Sequence, residues 1–192
     1  MTFVILLIIA VVLLYPYIST VARCRRMLTK LGRIARSEAY NIIPLRRFPW
    51  LPRTFSGKYD FLLEGRGSTI AIKLVSCVRK NSFLMIRPDG NAAVGYAVNE
   101  PFEMRKKSGS TKKFGKFKNI SSISENWNQN LDKNIDKAFL IYPFFKDVIF
   151  NDGRGEASLK TGDVIFGKAI HSPYSLEQKM KISGKALAGK TE

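Results

Sequence analysis

The chain has 192 residues, 45% of them apolar, which suits one domain plus an extra segment and excludes a largely disordered protein. Its net charge of +17, from 32 Lys and Arg against 15 Asp and Glu, favours anionic surfaces, either phospholipid head groups or nucleic acid. Two cysteines, Cys24 and Cys77, are fewer than a secreted disulfide scaffold of this size carries, and they point to a reduced, cytosolic domain.

Residues 1–22 form the first predicted element, a transmembrane helix. From Thr2 to Ala22 no side chain is charged, and Phe3 to Leu14 is unbroken Phe, Val, Ile, Leu and Ala. Twenty helical residues at about 1.5 Å each match a hydrocarbon core of roughly 30 Å. Tyr15 and Tyr17 fall where aromatic rings favour the interface, and Pro16 can kink the last turns. A cleaved signal peptide is the competing reading. No Lys or Arg precedes the run, and arginines follow Thr20-Val21-Ala22 at once, which favours an anchor. Arg23, Arg25, Arg26, Lys30, Arg33 and Arg36 crowd one flank only. The positive-inside rule then predicts a single-pass protein of the cell membrane, with its N-terminus outside and its C-terminal domain cytoplasmic.

Residues 23–43 are predicted as a basic juxtamembrane helix, with Met27, Leu28, Leu31, Ile34 and Ala35 at helical spacing. That helix either lies on the leaflet or packs on its own domain. Arg23, Arg25 and Arg26 are candidate lipid- or phosphate-binding residues. Cys24, beside the apolar run, is either a lipidation site or an unmodified thiol. Residues 44–56, with Pro44, Pro49 and Pro52 among Arg46, Arg47, Phe48, Trp50 and Arg53, cannot be regular helix and are predicted as a linker. Phe48 and Trp50 dock either on the domain or on the interface.

Residues 57–182 are predicted as a cytosolic α/β domain of the α+β kind, a small mixed sheet with helices. Tyr59–Glu64 and Thr69–Cys77 flank the turn Gly65-Arg66-Gly67-Ser68 as one hairpin, and Ser82–Arg87 and Ala92–Val98 flank Pro88-Asp89-Gly90-Asn91 as another. Met104–Lys118 is predicted as a polar, basic loop. Within it Lys112, Lys113, Lys116 and Lys118, interleaved with Phe114 and Phe117, could hold a phosphate backbone with the rings on bases, or rest on anionic lipid. Ser122–Asp136 is predicted as a helix with Ser122 and Glu125 as a capping box, Ala138–Tyr142 as a buried strand, and Asp163–Phe166 as the last strand. Residues 183–192 are predicted as a disordered tail.

Period-2 geometry in Ile70-Ala71-Ile72-Lys73-Leu74-Val75 puts Ile70, Ile72 and Leu74 on one face and Ala71, Lys73 and Val75 on the other. The first hairpin can then bring Asp60 near Lys73. With helix, hairpin, third strand, helix and buried strand in that order, Arg23 to Pro143 resembles the core of the PD-(D/E)xK, or restriction-endonuclease-like, nuclease fold. The resemblance implies Asp60 as the metal-binding carboxylate and Lys73 as the residue that positions water, with Mg²⁺ as cofactor and nucleic acid as substrate. Ala71 stands where that family has Glu, so Asp60 alone would hold a hard cation weakly. Glu64 lies about 13 Å along an ordinary strand, too far to compensate. The resemblance therefore implies a degenerate relative; the leading reading has Asp60 as a solvated strand residue and Lys73 as a snorkelling one, with no cofactor.

Other chemistries find less. His171 is the only histidine and no nucleophile is paired with it in the sequence, and Cys77 and His171 are too few softer donors for zinc. The glycine turns at 65–68 and 153–155 lack the Gly-Lys-Ser/Thr end of a phosphate loop. The expected function is a membrane-anchored, non-catalytic domain whose basic surface binds anionic phospholipid or an unidentified protein partner; the alternative is a metal-dependent nuclease.

Overall fold

The computed structural model describes residues 2–51, 59–65, 68–77, 82–90, 92–96, 118–120, 135–143, 145–151 and 154–188. Helix α1 covers Thr2–Ser37 without interruption, 36 residues that extend about 54 Å. The predicted transmembrane and juxtamembrane helices are thus one rod. It passes through Pro16, and four residues on, the Thr20 hydroxyl donates to the Pro16 carbonyl at 2.8 Å.

The two halves of α1 differ in what covers them. Val4, Ile5, Leu6, Ile8, Ile9, residues 11–14 and Ile18 leave large apolar side chains open, whereas Thr20, Cys24, Met27, Leu31 and Ala35 are buried. The burial of Cys24 within the core leaves its thiol no exposed face, in keeping with the unmodified reading. The rod ends at Ser37 rather than at residue 43. Ala39 takes the left-handed conformation (φ 58°) and the Tyr40 amide donates back to the Ala35 carbonyl at 2.7 Å, a helix stop that usually holds Gly.

Eleven strands follow in the described residues: β1 (Asn41–Pro44), β2 (Phe61–Gly65), β3 (Ser68–Val75), β4 (Ser82–Ile86), β5 (Ala92–Tyr96), β6 (Lys118–Ile120), β7 (Asp136–Ile141), β8 (Phe145–Asn151), β9 (Glu156–Leu159), β10 (Val164–Ile165) and β11 (Lys168–His171); helix α2 (Pro173–Ala188) closes the chain. They make two sheets, one in the order β1-β2-β3-β7-β11-β10 and one in the order β6-β5-β4-β8-β9. Both are mixed. The strands β3, β7 and β11 run parallel in the first, and β4 and β8 in the second.

Both predicted hairpins are present, as β2–β3 and β4–β5. Asn41–Pro44, placed in the helix and linker by the sequence, instead pairs antiparallel with β2 from Asn41↔Glu64 to Pro44↔Phe61. The strand around residue 164 is not the last: β11 and α2 follow it, and α2 carries helix as far as Ala188, into the predicted tail. Most of the predicted 122–136 helix and the 104–117 loop lie outside the described residues. Asp136 itself opens β7, and Lys118 opens β6.

Three layers result. Ile70, Ile72 and Leu74 of β3 join Phe61, Leu63, Ala138 and Leu140 under α1 and α2, where Met27, Leu31, Leu176 and Met180 cover them. Ala71 and Val75 face the other way and meet Leu84, Ile86 and Val148 of the second sheet. The alternation read in the sequence is therefore real, but both of its faces are buried.

Register fixes what lies at each end of the first sheet. Arg25 of α1 meets Trp50 just after β1, where β3, β7 and β11 also end, whereas Tyr40 beyond α1 reaches Gly65 at the opposite end of β2. We call the first the near end, since it adjoins the bare half of α1. At the far end the buried Tyr40 ring occupies the space that a Cβ on residue 65 would need. Gly65→Ala should therefore cost about 1–3 kcal/mol, the usual penalty of overpacking, read as a lower melting temperature of the detergent-solubilised chain.

Candidate functional site

Asp60 and Lys73, singled out by sequence, converge at the near end. Asp60 directly precedes β2; its amide donates to Ile72 at 2.8 Å and its carbonyl accepts from Leu45 at 3.0 Å, so its backbone is pinned between β1 and β3. Lys73 lies on the face of β3 that looks toward the second sheet. Its Nζ stands 3.7 Å from Asp60 Oδ2, and each side chain is 1% exposed. The Leu74 amide donates to the same Oδ2 at 2.7 Å.

Arg46 completes the cluster. Its Nε lies 2.5 Å from Asp60 Oδ1, at an angle too oblique for a hydrogen bond, and its Nη2 donates to the Leu51 carbonyl at 3.1 Å. Sequence reasoning placed Arg46 in a linker. The available signal was a basic residue directly after a strand-sized Asn-Ile-Ile-Pro, hidden because a four-residue edge strand has no visible period. Burial pushes the Asp60 carboxyl above the ordinary carboxylate range, against the opposing pull of Lys73, Arg46 and the Leu74 amide.

This arrangement suits structure better than metal chemistry. One carboxylate is held by two cations and a backbone amide, so an incoming Mg²⁺ would meet two like charges and, among the described residues, no second carboxylate. Ala71 lies in the inter-sheet core, and Glu64 pairs with Thr69 toward the far end, away from Asp60. Among the described residues no group of three or more His, Cys, Asp or Glu could hold a metal ion. The donor set does not fit the cation that the nuclease resemblance implies. What the cluster does is tie β1, β2 and β3 together by charge where their ladders end.

Asp60→Asn would leave two cations buried around a neutral amide, and should lower stability by about 3–5 kcal/mol. Adding Lys73→Met to Asp60→Asn should restore part of that loss, because the second substitution removes the stranded charge. Thermal unfolding of the three proteins measures both.

The structure does give His171 a serine partner, which sequence spacing did not reveal. His171 ends β11 and its Nδ1 lies 3.0 Å from Ser175 Oγ, one helical turn into α2. That hydroxyl already accepts the Ser172 amide at 3.1 Å, while Ser172 Oγ accepts the Ser175 amide at 3.2 Å. The pair is a reciprocal helix cap with Pro173 at the first helical position, and the imidazole braces it. His171 is 8% exposed, and burial together with Lys179 lowers its pKa from 6.5. The native ring stays neutral while the unfolded ring protonates below 6.5, so stability should fall on acidification from that point, by up to about 1.4 kcal/mol per pH unit until the native ring titrates. His171→Gln should flatten that part of the stability–pH curve.

The basic candidates divide. Arg23, Arg25 and Arg26 are exposed on α1 directly after its apolar half. Arg25 lies over the Trp50 ring at 5.8 Å, Arg47 over Phe48 at 5.4 Å, and the two rings meet edge-to-face at 5.6 Å. Trp50 packs on the core beneath α1, which is the first of its two alternatives, while Phe48 stays 48% exposed. Lys112, Lys113 and Lys116 lie outside the described residues. Comparison with protein-family models, curated proteins and solved structures returns no match to this chain.

Proposed function

We propose that the protein is a membrane-anchored, non-catalytic cytosolic domain whose near end rests on the inner leaflet and binds anionic phospholipid. The observation that carries this reading is the continuity of α1, whose bare apolar half is long enough to cross a membrane. A hydrocarbon core of roughly 30 Å consumes about 20 helical residues, which brings its inner edge to the region of Val21. Thr20 is already fully covered by protein there. No free linker separates membrane from domain, and the near end is held in the head-group layer.

Arg23, Arg25, Arg26 and Arg47 then form a basic collar around the point where α1 leaves the lipid, with Phe48 and Trp50 as interfacial aromatics. Each basic side chain contributes about 1 kcal/mol near an anionic surface. The same arginines, all on one flank of the span, orient the domain to the cytoplasm.

The chain should therefore show its C-terminus protected from protease on intact cells. In Trp127→Phe protein, which keeps Trp50 as its only tryptophan, quenchers carried in the lipid head-group region should reduce the emission. A protease-accessible C-terminus, or a Trp50 signal indifferent to membrane quenchers, would refute the placement. The meeting of Asp60 with Lys73 favours one second reading, a nuclease of the resembling family; cleavage of nucleic acid with Mg²⁺ or Mn²⁺, abolished in Asp60→Ala protein that still unfolds cooperatively, would establish it.

A further inference from the structure

A groove of about 490 Å³ opens between α1 and the start of α2, lined by Arg26, Met27, Leu31, Tyr142, Pro173 and Tyr174 with Lys30 and Glu177 at its rim. The two helices run side by side in the same direction, since Lys30 bonds Glu177 at 3.0 Å and, further along both, Glu38 neighbours Lys181. The first turn of α2 is accordingly the part nearest the bare half of α1. We infer that this groove binds one anionic glycerophospholipid drawn from the leaflet in which α1 is anchored, an inference that rests on the proposed placement of the domain.

Three observations on the molecule select that occupant. The first is level: Arg26 lies four residues past Ala22, about 6 Å along the helix, within a head-group layer some 5–8 Å deep. The second is the lining, in which apolar Met27, Tyr142 and Pro173 suit the glycerol backbone of a lipid rather than a wholly polar solute. The third is charge. Arg26 is exposed at the mouth with no ionic partner among the described residues, whereas the one carboxylate on the rim, Glu177, is already held by both Lys30 (3.0 Å) and Lys181 (2.8 Å). A phosphodiester at Arg26 meets uncompensated positive charge. Tyr174, 69% exposed on the outer lip, is the type of side chain that prefers the interface.

The test is native mass spectrometry of the full chain released from detergent micelles doped with phosphatidylglycerol or phosphatidylcholine. The inference expects one retained phosphatidylglycerol, weaker retention of phosphatidylcholine, and an affinity about fivefold lower in Arg26→Gln, the effect of one basic side chain. Arg33→Gln, which changes an exposed arginine outside the groove, should retain the lipid unchanged. Equal retention of the two lipids would overturn the inference, as would equal losses in Arg26→Gln and Arg33→Gln. Displacement of the lipid by millimolar inorganic phosphate would overturn it too, by marking a site for soluble anions. The Trp50 quenching measurement reads the placement of the domain independently, so a groove that fails can be told from a domain that is elsewhere.

Discussion

One helix answers to two solvents. The first half of α1 carries an exposed apolar surface long enough to cross a lipid core, and its second half supplies Met27, Leu31 and Ala35 to the protein core. Because no break separates the halves, the position of one sets the position of the other. Everything at the near end follows from this: the level of the collar arginines, the exposure of Phe48 beside a half-buried Trp50, and the side of the sheet to which β3, β7 and β11 point their C-terminal ends. A flexible tether of the same length would leave each of these free to turn away from the surface.

The sheet beneath α1 is buried on both sides, and the Asp60–Lys73–Arg46 cluster shows the consequence. Between two apolar layers an isolated lysine would be expensive to hold, so charge is admitted there only in opposed groups with the backbone taking up remaining lone pairs. Asp60 serves three strands at once: its main chain bonds both neighbours, and its carboxylate takes the Leu74 amide that no β2 carbonyl reaches. The same flanking cations that make it a good tie make it a poor metal ligand.

The legible parts of this fold were those whose signal is local. The 21 uncharged residues from Thr2 to Ala22 announce a long apolar helix without any knowledge of partners, and the alternation in β3 together with the glycine-bearing turn before it announces a hairpin. Asp60 and Lys73 were legible as a pair because a hairpin register is local too. What the sequence could not show is long-range. Asn41–Pro44 and Lys168–His171 are four residues each, and they become strands only through neighbours far away in the chain. Two sheets rather than one follow from β3 and β7 pairing directly while β4, β5 and β6 leave to build the second layer. Helix α2 did carry signals, with Ser172, Pro173 and Ser175 at its start and Leu176 and Met180 one turn apart, but the lysines and glycine after them made the segment resemble a tail.

The order in which these pieces leave the ribosome gives the parallel arrangement of β3, β7 and β11 a temporal meaning. Helix α1 emerges before the strands it covers, while its protein-facing side waits for partners that are encoded last. Chains are made at roughly 5–20 residues per second, so the interval between Met27 and the Met180 that helps to cover it lasts on the order of 10 s or more. Throughout that interval Met27 and Leu31 lack part of their apolar cover, and the arrival of α2 is the event that completes it.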